Sequence, residues 1–177
     1  MAAPTDGELV ARARAGSRDA AGQLFQRHWP AAWRMARAVT GRRDMADDVA
    51  QDAFERAFAA LSRFDERRPF APWLHRIVVN RSLDLLRSER RLVGIDAVER
   101  IEGEWRDAAA EDRGLLRAVA GLSAHRRVVI VLRYGLGYPP AAIADLLGLP
   151  VGTVHSRLAR ALDDLRRFEL ERDVERA

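Results

Sequence analysis

Residues 140–160 read PAAIADLLGLPVGTVHSRLAR and contain two short helical patterns separated by a glycine. In the first pattern, Ile143, Ala144 and Leu147 recur at the spacing that places them on one face of a helix. Gly148 follows as a residue able to adopt the left-handed conformation that ends a helix. The second pattern carries an apolar stripe formed by Val154, Leu158, Ala161, Leu162 and Leu165. This order predicts a helix-turn-helix, with an ordinary helical hairpin as the alternative.

The second helix of this unit presents polar side chains near its beginning. They are Thr153, His155, Ser156, Arg157 and Arg160. In a helix-turn-helix, the beginning of the second helix is the part that enters a DNA major groove. Between Arg113 and Leu162 there are seven arginines and a single acid, which is the charge expected of a phosphate-binding surface. The pattern therefore predicts that this helix binds duplex DNA.

The composition of the whole chain excludes several kinds of chemistry. The 177 residues contain 30 cationic side chains, all of them arginine, and no cysteine. Without cysteine there is no disulfide, no thiolate metal site and no cysteine nucleophile. Without lysine there is no Schiff base and no P-loop lysine. Because the four histidines show no metal-ligand spacing either, we predict a protein without a metal or other cofactor.

Charge divides the chain into three parts. A segment over 92–112, with seven acids and two arginines, separates two basic stretches. This predicts two small helical domains, 1–91 and 112–177, joined by a flexible acidic linker over 92–111. Strand patterns are nearly absent, and the one ambiguous run, VVIVL at 128–132, fits a buried helix better, so the predicted fold class is all-α. The predicted helices span 6–15, 17–40, 44–62, 70–90, 112–121, 123–134, 139–147 and 151–168.

Hydropathy bears on the location of the protein. The longest uninterrupted apolar run is far too short to span a membrane, and the first residues lack the apolar segment of a signal peptide. We therefore expect a cytoplasmic protein with no membrane insertion.

A cluster of polar side chains lies on one face of the helix predicted over 44–62. Five of them fall within about 140° of one another at 100° per residue: Asp47, Asp48, Gln51, Asp52 and Glu55. Ala50 and Ala57 fall on the opposite side, so one face can pack while the other carries negative charge. Three interpretations remain open: a solvated face, a Mg²⁺ site like those of diphosphate-processing enzymes, and docking onto a basic surface of a partner protein.

An aromatic loop precedes the next helix. Phe64, Phe70 and Trp73 occur in a proline-bounded, arginine-rich segment, and aromatic rings in a basic loop suit stacking on unpaired bases. The following helix is apolar around most of its circumference except for one polar stripe, formed by Arg76, Asn80, Asp84, Arg87 and Arg91. Such side chains can bond to base edges and phosphates. The residues alone support a structural interpretation equally well, in which the aromatic side chains anchor the loop and the stripe is a solvated face.

Three motifs, taken in order, resemble those of the extracytoplasmic-function (ECF) sigma factors of the bacterial sigma-70 family. DVAQDAF at 48–54 resembles the core-binding motif of region 2. The loop and stripe that begin at Phe64 resemble the part of region 2 that melts and reads the −10 element. GTVHSRL at 152–158 resembles the recognition helix of region 4. The chain departs from the family at Ala141 and Ala142, where acids are usual.

This resemblance implies a non-catalytic subunit of RNA polymerase that binds core polymerase and directs promoter-specific initiation, without a small-molecule substrate. Docking on core polymerase would use Asp47, Asp48, Gln51, Asp52 and Glu55. The −35 element would be read as duplex DNA by Thr153, His155, Ser156, Arg157 and Arg160. The melted −10 element would be contacted by Phe64, Phe70, Trp73, Arg76, Asn80 and Arg87. Because family members are often held by an anti-sigma factor, we expect such a partner here as well.

Two further expectations concern the whole chain. The alternative function is a stand-alone helix-turn-helix regulator, which would bind duplex DNA as a symmetric dimer and would leave the acidic face without a role. The resemblance also implies two promoter elements about 25 base pairs apart, a distance of ~85 Å along the duplex. Two domains on an extended linker could reach both elements.

Overall fold

The computed structural model describes residues 3–93 and 110–175, and within these ranges all regular structure is helical. The first domain contains α1 Asp6–Arg14, α2 Arg18–Thr40, α3 Arg43–Ala59 and α4 Phe70–Val93, with a short 3₁₀ turn at Leu61–Arg63. The second contains α5 Ala110–Gly121, α6 Ala124–Ile130, α7 Pro140–Leu147 and α8 Val151–Glu175. The all-α class is confirmed. Most of the predicted acidic linker, from 94 to 109, lies outside the described residues.

Local sequence signals account for the ends of the first helices. Thr5 accepts a hydrogen bond from the backbone of Glu8, whose carboxylate accepts one from the backbone of Thr5, so α1 begins with a capping box. Ser17 caps α2 by accepting from the backbone of Ala20. Gly41 ends α2 in the left-handed conformation, with φ at 78°. These caps determine where α1 begins and where α2 begins and ends.

The first domain is a bundle in which α2 packs against α1, α3 and α4. Its core is formed by fully buried side chains from all four helices, among them Leu9, Leu24, Met35, Phe54 and Leu74. The polar side of α3 and the polar stripe of α4 are left outside, as their helical spacing predicts.

The second domain packs α6 and α7 against α8. The run VVIVL is helical and buried: α6 passes into a single π turn at Val131–Gly135, and Leu132 is fully buried. Gly148 separates α7 from α8 with φ at 64°, the left-handed turn expected of a helix-turn-helix. Ile143 of α7 and Val154 and Ala161 of α8 are fully buried in the core. The two helices are in contact, as the apolar stripes predict.

The two domains are in contact and share one continuous set of buried apolar residues. Helix α2 contacts α6, and α4 contacts α7. None of the helices in the described ranges has both the length and the hydropathy that are needed to cross a membrane.

Candidate partner and nucleic-acid interfaces

The five side chains predicted to read duplex DNA lie together at the beginning of α8. His155, Ser156 and Arg160 are exposed, while Thr153 and Arg157 are partly exposed. The opposite side of the helix is anchored in the core, so its polar side is held at a fixed angle to the domain. Within the described residues neither arginine forms an ion pair, which leaves both guanidinium groups available to phosphates or base edges.

The acidic face of α3 is partly neutralised within the chain. Asp52 forms ion pairs with Arg56, one turn further along α3, and with Arg81 of α4. Asp48 and Glu55 are exposed, and the Gln51 amide donates to the Glu55 carboxylate at 3.1 Å. Mutual repulsion of the acids is therefore relieved at Asp52, and among the described residues the face keeps three carboxylates without an ion pair, those of Asp47, Asp48 and Glu55.

An aromatic ridge, which the sequence analysis missed, adjoins this acidic face. It is formed by Phe25 and Trp29 of α2 and by Phe54 and Phe58 of α3. The rings of Phe25 and Trp29 stack at 4.9 Å, and Phe25 remains 37% exposed. The Trp33 indole then donates to the Asp47 carboxylate at 2.7 Å and joins α2 to the acidic face. The signal was present in the sequence as aromatics four residues apart, at 25, 29 and 33.

The aromatic loop is built on a packed cluster. Phe64 and Phe70 are buried at 6% and 2% exposure and contact each other edge-on, and both contact Trp73. Arg14 of α1 fixes the loop by pairing with Glu66 and by donating to the Ser62 carbonyl at 3.0 Å. This burial favours the anchoring role for Phe64 and Phe70, one of the two roles that the sequence left open. Trp73 is only half-buried.

A cavity of about 270 Å³ opens between α1 and this loop. Asp6 and Val10 of α1 form one wall, and Phe64, Arg67 and Phe70 contribute to the other. The Asp6 carboxylate is held at this wall by Arg27 at 2.7 Å and by His28 at 2.8 Å. The loop therefore borders a concave site with apolar rings and charged groups, the combination that suits a single unstacked base.

The polar stripe of α4 is exposed from Arg76 to Arg87. Arg76, Asn80 and Arg87 are all exposed, and Arg87 also pairs with Asp84 at 2.9 Å. The beginning of the stripe lies against the second domain: Trp73 and Arg76 border a second cavity, of about 240 Å³, together with Tyr138 and Asp145. The structure therefore separates an open part of the stripe from a part that the helix-turn-helix faces.

The carboxylates that suggested a Mg²⁺ site do not form one here. Within residues 3–93 and 110–175, no group of three or more histidine and acidic side chains is arranged to hold a metal ion. On α3, two of these carboxylates instead contact Trp33, Arg56 and Arg81.

Comparison with known families gives two matches, one for each domain. Residues 24–92 match the model of sigma-70 region 2, and residues 112–165 match that of sigma-70 region 4. Together the two models cover more than half of the chain.

Individual relatives match over nearly the full length. The ECF RNA polymerase sigma factor SigM of Mycobacterium tuberculosis is 37% identical over 169 residues, which span 93% of this chain and 84% of that protein. The RNA polymerase sigma factor CnrH of Cupriavidus metallidurans is 35% identical over 86% of this chain and 88% of its own.

Solved structures extend the likeness to the fold. CnrH in complex with the cytosolic domain of CnrY superposes with a TM-score of 0.71 and 33% identity, covering 95% of this chain and 98% of that one. The sigma factor RpoE of Bartonella quintana, solved with the anti-sigma factor NepR, has a TM-score of 0.67 over 83% of this chain at 24% identity, which supports the fold alone.

Proposed function

We propose, since this chain belongs to the sigma-70 family and is an RNA polymerase sigma factor of the ECF type, that its two domains divide promoter recognition between them. The first domain docks on core polymerase through α3 and contacts the melted −10 element through the aromatic loop and α4. The second domain reads the −35 element through α8. The observation that carries this proposal is the position of Arg157 and Arg160 near the beginning of α8, where neither forms an ion pair within the described residues, on a different domain from the acidic face of α3.

The docking surface combines charge with apolar area. Asp48 and Glu55 supply exposed negative charge, and the adjoining aromatic ridge supplies Phe25 and Trp29. Interfaces of this kind gain most of their affinity from buried aromatic residues, while the surrounding charges set orientation and the rate of association. We therefore infer that core polymerase covers both parts of the surface.

Reversing the charge of Asp48 tests the docking surface. Asp48→Arg should weaken core binding at least about tenfold, because it places a cation against a basic partner surface. Asp48 suits this test because it is exposed, whereas Asp52 pairs with two arginines and its loss would disturb packing. Asp163→Arg, an exposed reversal on the second domain, serves as the matched control in a pull-down with purified core. Full affinity in Asp48→Arg would refute the assignment.

Recognition of the −35 element is tested at Arg157. If its guanidinium contacts a base edge, Arg157→Ala should weaken binding to the cognate duplex by about 1–3 kcal/mol. Arg167→Ala, further along α8 and paired with Asp164, is the control. Duplex affinity is measured for the cognate and for a scrambled −35 sequence. An equal loss on both sequences would indicate a phosphate contact and contradict the base-reading role.

Contact with the melted −10 strand uses the loop and the stripe in different ways. Phe64 and Phe70 hold the loop in shape, and the neighbouring cavity receives one unstacked base, with Trp73 at the edge of the loop. Arg76, Asn80 and Arg87 follow the strand along α4. Extracting a base from the stack costs a few kcal/mol, which contacts in the cavity must offset.

The partners of the protein follow from these roles of the two domains. They are core RNA polymerase, promoter DNA and an anti-sigma factor, in the cytoplasm, and the bond-forming chemistry belongs to the polymerase. The stand-alone regulator is set aside because it gives no role to the region that matches sigma-70 region 2. Run-off transcription with purified core polymerase, with and without this protein, tests the whole proposal: specific transcripts should appear only when it is present.

A further inference from the structure

The first helix supplies one wall of the cavity beside the aromatic loop. Asp6, Gly7 and Val10 of α1 border this cavity, and Phe64 and Phe70 border it from the loop. The residues that match sigma-70 region 2 begin at 24, so α1 lies outside the matched segment. The chemistry of the cavity therefore depends in part on a helix to which the resemblance assigns no role.

The Asp6 carboxylate is held in a fixed position at this wall. Its Oδ1 accepts a hydrogen bond from Arg27 at 2.7 Å, and its Oδ2 lies 2.8 Å from Nε2 of His28. His28 is 8% exposed, and its ring packs against that of Phe70 with the centroids 5.1 Å apart. Because each carboxylate oxygen can accept about two hydrogen bonds, both oxygens keep capacity for one more donor. Asp6 thus presents an oriented acceptor beside the cavity.

The other charged groups around the cavity suit different tasks. The Glu66 carboxylate pairs with Arg14, and its side chain is about half exposed. Arg67 and Arg68 are exposed on the loop, where their guanidinium groups can reach the phosphate of an extruded nucleotide. Asp6 is therefore the acceptor best placed for the edge of the base itself.

A fixed carboxylate distinguishes the four bases by their amino groups. Cytosine, adenine and guanine each carry an exocyclic amino group, which donates hydrogen bonds, whereas thymine has carbonyl oxygens instead. An ionised carboxylate only accepts. The one ring N–H of thymine lies between two carbonyl oxygens, so bringing it to Asp6 would also bring an acceptor against an acceptor. A site with a fixed acceptor disfavours a ligand that lacks the matching donor.

We propose that Asp6 is a specificity-determining residue of this cavity: its carboxylate accepts from the exocyclic amino group of the extruded base, so that the cavity takes cytosine, adenine or guanine and rejects thymine. This inference rests on the proposed function, in which the cavity receives one unstacked base of the −10 element.

Selection from a DNA pool tests the preference with holoenzyme, reconstituted from the full-length chain and purified core polymerase. The pool contains promoter-length duplexes that are randomised in the −35 element and in a premelted −10 strand. Sequencing of the bound fraction should show one position of the melted strand at which thymine is depleted about tenfold, the value expected of one good contact to a base edge. Thymine tolerated at every position of an otherwise enriched pool would overturn the proposal.

Asp6→Asn identifies the position that Asp6 reads. The asparagine amide donates as well as accepts, so it can bond to a thymine carbonyl. The depletion of thymine should disappear at that one position and persist elsewhere. Asp19→Asn is the matched control, since Asp19 is exposed on α2 and does not border the cavity, and it should leave every position unchanged. An unchanged profile in Asp6→Asn would refute the assignment.

Arg27→Gln separates recognition of the base from support of α1. It breaks the same ion pair as Asp6→Asn but keeps the carboxylate, which His28 still contacts. Any general weakening from a loosened α1 is shared by both variants, whereas tolerance of thymine should arise only in Asp6→Asn. Equal tolerance in both variants would show that Asp6 only anchors α1, and the proposal would fail.

Removing the amino group from the DNA provides an atomic test. Probes carry the selected base or its analogue without the amino group: a pyrimidinone for cytosine, purine for adenine or hypoxanthine for guanine. The analogue should weaken binding of the unsubstituted holoenzyme about tenfold and that of Asp6→Asn at most about twofold. The same loss in both would contradict a contact between Asp6 and the amino group.

The selection also separates this inference from the proposed function. If the pool shows no enrichment at any position of the melted strand, the proposed contact with the −10 element is contradicted. If positions are enriched but none responds to Asp6→Asn, the proposed function stands and only the role of Asp6 is overturned.

Discussion

His75 links the packing of the first domain to pH. Burial, which deprives the charged form of its hydration, and to a smaller extent the neighbouring His28 together lower the pKa of its imidazole from 6.5 to about 4. The third titratable group at this site, the Tyr138 hydroxyl, has a pKa raised by burial and stays neutral at ordinary pH. His75 is therefore neutral in the native state at pH 7.

We predict that this histidine destabilises the protein in mild acid. Protons bind the unfolded chain below about pH 6.5 but the native chain only below about 4, so stability is lost as the pH falls between these values. At pH 5 the loss from this group is about 2 kcal/mol relative to pH 8. Urea unfolding at both pH values should show a smaller loss in His75→Gln. The same loss in this variant would contradict the assignment.

The turn between α7 and α8 provides a prediction at the scale of elements. Gly148 has φ at 64°, and an added Cβ would find its nearest neighbour, the guanidinium of Arg76, at 3.9 Å. The cost of Gly148→Ala is therefore conformational, about 1–2 kcal/mol of stability.

Gly152 is the matched control for this turn. It lies within α8 in an ordinary helical conformation, and nothing lies within 4 Å of an added Cβ. Gly152→Ala should stabilise the protein by about 0.5–1 kcal/mol. Thermal unfolding should show a lower stability for Gly148→Ala and a higher stability for Gly152→Ala. A loss of stability of equal size in both variants would show that the turn has no special requirement for glycine.

The helices themselves were largely predictable, and their ends less so. Sequence signals at Thr5, Ser17, Gly41 and Gly148 act over a few residues, so the corresponding helix ends lie close to the predicted positions. Helix α8 runs to Glu175 instead of 168, because no glycine or proline follows to end it. The run VVIVL was correctly interpreted as helical, but nothing local indicates its π turn.

At the scale of the whole molecule, Arg127 should couple the unfolding of the two domains. Arg127→Met leaves the carbonyls of Val39, Ala120 and Leu122 without this donor, and each unsatisfied buried group costs about 1–3 kcal/mol. We predict one calorimetric transition for the unsubstituted protein and two for Arg127→Met. Arg126→Met is the control, since Arg126 pairs with Asp164 inside the second domain. A single transition in both variants would contradict this coupling.

Some features of the candidate sites could also be predicted from the sequence, and others only from the tertiary structure. Helical periodicity alone places Asp48 on the exposed face of α3 and Arg157 off the packed face of α8, because each position depends only on the residue's own helix. The pairing of Asp52 with Arg81, the aromatic ridge shared by α2 and α3, and the burial of Phe64 and Phe70 required neighbouring helices. No local pattern specifies which partners meet across helices.

The sequence by itself determined the all-α class, the helix-turn-helix and the family, since these depend on periodicity, turn residues and motifs that are local along the chain. Only the tertiary structure decided how the two domains meet. The Arg127–Val39 contact joins residues 88 positions apart and the His75–Tyr138 contact residues 63 apart. Such contacts depend on the packed shapes of both domains, which determine which side chains come within hydrogen-bonding distance.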